Sequence, residues 1–111
     1  MKYLIDAIMK IANENPDGFT IELTTLLKVE KGFSVGYKET QNCFGIEGLK
    51  RVIIHSESHG KVVGGWFNED NNLYYFDSIM ILEDETEAIK LGIENEQIAI
   101  FDITNLKLIK L

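Results

Sequence analysis

The sequence predicts a single α+β domain over residues 1–111: a mostly antiparallel sheet with helices packed on it, in the order α-β-β-α-β-β-α-β(-β). Three observations predict it. Stretches with apolar residues at helical spacing alternate with stretches in which apolar and polar residues take turns. A chain of 111 residues, 45% apolar with one proline, has the size and content for one core. No linker or low-complexity run divides it.

Each element has its own signal. Leu4, Ile5, Ile8, Ile11 and Ala12 gather on one face of a helix, opposite Asp6, Lys10, Asn13 and Glu14. Asn15-Pro16-Asp17-Gly18 stops it. Phe19, Ile21 and Leu23 alternate with Thr20 and Glu22, and Phe33, Val35 and Tyr37 alternate again. These two strands are expected to form a hairpin across the turn at residues 28–32.

Helical spacing returns over residues 39–60. Ile46, Leu49, Val52 and Ile53 make the stripe, and Gly60 is placed to end it. Residues 61–67 read as a strand whose Gly64 and Gly65 imply a bulge or a close backbone approach. After the loop at residues 68–72, residues 73–82 complete a second hairpin, rich in aromatics. Asp84 and Glu87 have the spacing of a capping box and open a third helix. Residues 98–103 form a continuous apolar run, read as a buried strand, and residues 106–111 add a short last one.

Composition excludes several functions. Eleven basic and eighteen acidic residues give a net charge of −7, which opposes direct capture of nucleic acid or of an anionic membrane. The N-terminal apolar stretch is interrupted by Asp6 and Lys10 and has no cleavage site, so it reads as an amphipathic helix and not as a signal peptide. No stretch approaches the roughly 20 apolar residues of a membrane span. Cys43 is the only cysteine, which rules out an internal disulfide and a cysteine zinc cluster and suits a reducing cytoplasm.

The residues that carry chemistry form no complete set. His55 and His59, the only histidines, fall on the polar side of the second helix and are expected to be exposed, with Arg51 one turn away opposing a cation. No HExxH motif is present, and no metal or other cofactor is expected. Cys43, near the start of the same helix, would lie roughly 18 Å along the axis from His55, which excludes a Cys-His dyad and leaves a buried thiol. Asp77 and Asp102 each follow a phenylalanine in an apolar strand. Each marks a strand end or bulge, or else the two flank one site as a metal or acid–base pair requires.

What remains is surface. Glu83, Glu85 and Glu94 belong to an acidic stretch with Lys90 its one basic residue, and Glu69 and Asp70 add charge in the hairpin loop. Trp66 and Tyr74 offer aromatic anchors beside it, although at least half of Trp66, Tyr74, Tyr75 and Phe76 are expected in the core. Charge and aromatics together imply a protein partner with a basic surface.

The segments KETQNCFGIEGLKRVI, VGGWFNEDNNLYYFDS and ENEQIAIFD, which span most of residues 37–103, resemble small uncharacterised proteins carried by phages and mobile elements of gut bacteria. The resemblance rests on glycines, aromatics and strand aspartates. It implies a stand-alone domain and a role in phage–host conflict, as an inhibitor of host defence of the anti-CRISPR kind. Two functions therefore stand at this point. One is a non-enzymatic binding module for a basic-surfaced, nucleic-acid-handling protein. The other is a small metal-dependent hydrolase using Asp77 and Asp102.

Overall fold

Helix α1 (Lys2–Glu14) forms where the apolar stripe predicts it, and Asn15 caps it by donating its side-chain N–H to the Ile11 carbonyl at 2.8 Å. Strands β1 (Phe19–Glu22) and β2 (Phe33–Gly36) follow, then a 3-10 turn at Lys38–Thr40 and the two-residue β3 (Cys43–Phe44). Helix α2 (Gly45–Glu57) leads to β4 (Val62–Asn68) and β5 (Leu73–Leu82). Helix α3 (Glu85–Glu94), β6 (Ala99–Asp102) and β7 (Lys107–Lys110) complete the chain. The computed structural model describes residues 1–111.

The seven strands make one antiparallel sheet in the order β1-β4-β5-β2-β6-β7, with β3 also on β5. β5 is the organising strand. Its first half pairs with β4 and its second half with β2. The α+β class and the β4–β5 hairpin are as expected from the sequence.

The expected β1–β2 hairpin does not form. β1 pairs with β4 and β2 lies between β5 and β6, so the connection from Leu23 to Gly32 travels across the ends of β4 and β5. Alternation identifies a strand but says nothing about its partner. The longer β4 and β5 offer these short strands more hydrogen-bonding edge than they offer each other. On the way, residues 27–29 cover the free edge of β1, through Glu22 N–H to the Leu27 carbonyl and Val29 N–H to the Thr20 carbonyl. An open edge that would invite strand addition is closed there.

All three helices lie on one face of the sheet. Ile5, Ile8 and Ala12 of α1 and Leu49, Val52 and Ile53 of α2 pack on Phe19, Ile21, Val63 and Phe76. Burying each large aliphatic there contributes about 1.5–3 kcal/mol. Ala88 of α3 packs on Val35 and Ile100 in a smaller second cluster. Ile46, placed in the α2 stripe by its spacing, is exposed, and the buried row is Leu49, Val52, Ile53 and Ser56. Of the two β4 glycines, Gly65 marks a close approach: a methyl there would overlap the rings of Phe19 and Tyr74. β4 is otherwise regular, in unbroken register with β5 from Val63 to Asn68, so there is no bulge. No helix is long and apolar enough to cross a membrane.

Candidate functional site

The opposite face of the sheet carries no helix. It holds a cleft of about 950 Å³, lined by residues of β1, β4, β5, β2, β6 and β7 and bordered by the strap at residues 28–30 and the β6–β7 turn. Strand alternation builds it. On β5, Phe76 and Ser78 turn toward the helices, which sends Asp77 and Ile79 into the cleft. Gly64 stands directly opposite Asp77, and Thr20 opposite Gly64. Gly36 is opposite Ile79 on the other side. The Ile79 side chain leans over Gly64 and the Gln97 side chain over Gly36, so these two side chains border the carboxylate on the floor.

Trp66 forms one wall. It is 44% exposed and stacks on Tyr75 with ring centroids 5.1 Å apart, and Phe44 meets Tyr75 edge-on at 5.6 Å. This row of aromatics crosses β4, β5 and β3. On the far side, Phe101 and Leu108 line the cleft, and Ile98 and Leu106 stand at its rim, 89% and 79% exposed. Ile98 and Leu106 stand at opposite ends of the β6–β7 pair, and exposed apolar side chains around a cleft are common at binding surfaces in proteins.

Asp77 is the polar feature of the floor. No cation pairs with it, and the side-chain donor beside its carboxylate is the Trp66 indole. Burial pushes its pKa up to about 6, and the Trp66 indole opposes that shift only in part. A carboxylate held in an apolar cleft without a counter-charge is costly in the free protein, a pattern typical of functional sites.

Asp102 is elsewhere. Phe101 lines the cleft, so Asp102, one residue on, points to the other face of the sheet. It is buried and accepts hydrogen bonds from the Asn105 backbone N–H at 3.1 Å and the Asn105 side-chain N–H at 2.8 Å, which shapes the turn between β6 and β7. The two Phe-Asp dipeptides sit in opposite phase in their strands. The shared carboxylate site that a two-aspartate hydrolase requires is therefore not formed.

The histidines also depart from expectation. His59 is exposed, but the His55 side chain is only 14% exposed. Its Nδ1 is 2.8 Å from the hydroxyl of Ser78, which is fully buried on β5, and its Nε2 is 3.2 Å from Glu39. The imidazoles stack at 3.8 Å, with Tyr37 edge-on to both. The angle that points His55 away from the apolar stripe of α2 points it at the 3-10 turn, which helical geometry alone does not reveal. Burial and the nearby Glu39 raise the Tyr37 pKa. Cys43 is buried as expected but lies in β3, just before α2. Burial raises its pKa, a nearby Arg51 lowers it and Asp77 raises it.

The acidic residues are exposed but do not form one patch. Glu69 and Asp70 occupy the tip of the β4–β5 hairpin, while Glu83 and Glu85 stand at the other end of β5, about 30 Å away. Glu94 is at the far end of α3. Of the two proposed anchors only Trp66 is exposed. Tyr74 packs on Phe19 and Phe76 and donates its hydroxyl to the Asn15 carbonyl at 2.8 Å, and burial pushes its pKa up to about 12. Phe76 is buried, and Tyr74 and Tyr75 are half-buried.

The cleft itself was missed by sequence reasoning, although one signal was present. Residues 79–82 are apolar on both strand faces, more than one layer of helices can cover. No protein-family model, curated protein or solved structure matches the chain.

Proposed function

We propose that the protein is a protein-binding module that takes a basic partner on the helix-free face of its sheet. The observation that carries this reading is the cleft: exposed apolar and aromatic walls around a carboxylate that has no counter-charge. A cationic side chain from a partner supplies that counter-charge, and the walls supply the apolar area that holds it. The net charge of −7 steers such a partner in. Proteins that handle nucleic acid carry the required lysines and arginines, and the resemblance to phage and mobile-element proteins supports a counter-defence role among them.

A paired capture experiment tests this. Leu108→Glu places a charge in the cleft at an exposed position, and Tyr3→Ser changes an exposed site on α1, away from the cleft. The wild type and Tyr3→Ser are expected to retain the same basic protein from a bacterial lysate, and Leu108→Glu to lose it. Retention by Leu108→Glu, with circular dichroism showing all three folded, would remove the open face from this reading.

A further inference from the structure

We propose that the cleft takes an extended peptide segment running across the strands, with one lysine or arginine side chain set against Asp77. The inference rests on the binding-module reading above and names the partner's chemistry. The floor crosses β1, β4, β5, β2 and β6, four inter-strand steps. At about 4.8 Å per step this is about 19 Å, the length of about five or six extended residues. A single small amine fills only a fraction of such a site.

The charges select a cation. The charged residues lining the cleft are Asp17 from the α1–β1 turn, Lys28 and Glu30 from the strap, and Asp77 on the floor; β2, β6 and β7 contribute none. Asp77 lies opposite Gly64 on the cleft floor, between Ile79 and Trp66, and a long side chain approaches it past the exposed Trp66. Trp66 offers its ring to the same cation. Ile98, Phe101 and Leu108 meet the apolar residues that flank it. A second copy of this chain fits poorly, because two surfaces of net charge −7 repel and would bury one Asp77 against another's field.

Binding is proton-linked. The cation requires the carboxylate in its ionised form, so affinity is flat above about pH 6 and falls about tenfold per pH unit below it. Trp66 is the only tryptophan and sits in the cleft wall, so its fluorescence reports occupancy.

The test uses a pooled library of blocked hexapeptides with arginine near the centre, a matched pool with citrulline in its place, and agmatine as a small guanidinium cation. At pH 7.5 the arginine pool is expected to change Trp66 fluorescence saturably and to bind at least tenfold more tightly than the citrulline pool. That preference should vanish in Asp77→Asn and in the wild type at pH 4.5. Equal binding of the two pools at pH 7.5 would overturn the cation anchor while leaving the open face as a docking surface. Agmatine binding as tightly as the arginine pool would overturn the peptide in favour of a small cation. No response to any probe would overturn the inference, while the capture experiment with Leu108→Glu still decides the broader reading.

Discussion

Asp77 is the residue whose chemistry and stability pull in opposite directions. Its folded pKa is raised from 3.8 to about 6, so the native state holds a proton that the unfolded chain releases earlier. The stabilisation linked to it is complete below about pH 4 and is lost as pH rises through about 6. Above that, the ionised group costs the free protein on the order of 2–3 kcal/mol. Asp77→Asn is therefore expected to raise the denaturation midpoint at pH 7.5 and to match the wild type near pH 4. Urea titrations at the two pH values check this, and a variant less stable than wild type at pH 7.5 would mean that the Trp66 hydrogen bond outweighs burial. The histidine pair gives a second expectation at this scale. His55→Ala leaves the buried Ser78 hydroxyl without its partner and should cost about 1–3 kcal/mol, whereas His59→Ala, at an exposed site, should stay within about 0.5 kcal/mol. Equal effects of the two changes on thermal unfolding would contradict the burial of His55.

Among the elements, one glycine of β4 and one of β2 do different work. Gly65 faces the helices, where a methyl would overlap Phe19 and Tyr74, so Gly65→Ala should cost about 1–3 kcal/mol. Gly36, on the cleft side of β2, meets only the flexible end of Gln97, whose Oε1 would lie 2.7 Å from an added methyl. Gln97 swings away at little cost, so Gly36→Ala should be close to neutral. In α2, Ile53 is fully buried at the centre of the helix–sheet contact, and Ile53→Ala should cost about 2–5 kcal/mol. Chemical denaturation of the three variants ranks them, and a neutral Gly65→Ala would mean that β4 does not approach β1 as closely as described. Helix α3 depends less on packing for its start, because the Asp84 carboxylate accepts the Glu87 N–H at 2.9 Å.

For the whole molecule, charge acts over distance. The acidic residues are split between the hairpin tip and the α3 end, so they make no single contact surface and act through the summed field. Reversing Glu83, Glu85 and Glu94 to lysine changes the net charge by +6, from −7 to −1, and leaves the Asp84 cap in place. Association with a basic partner should then slow at low salt and lose its salt dependence, while dissociation changes little. Stopped-flow rates across ionic strength measure this. A large rise in the dissociation rate would place these glutamates in the contact itself.

Local information was enough for much of the molecule. The periodicity of α1, the cap at Asp84, the β4–β5 hairpin and the buried Cys43 follow from residues a few positions apart, and the sequence alone determined them. The same spacing rules placed His55 on the polar side of α2 but carried no knowledge of the turn at Lys38–Thr40 that covers it. They made β1 and β2 strands but not partners, because pairing depends on which edges the longer β4 and β5 leave free. Asp77 and Asp102 look alike in sequence, and only strand phase within the assembled sheet sends one into the cleft and the other into a turn. The cleft itself belongs to tertiary structure alone. It exists because all three helices pack on one face, leaving residues from six strands, far apart in the chain, to line the other.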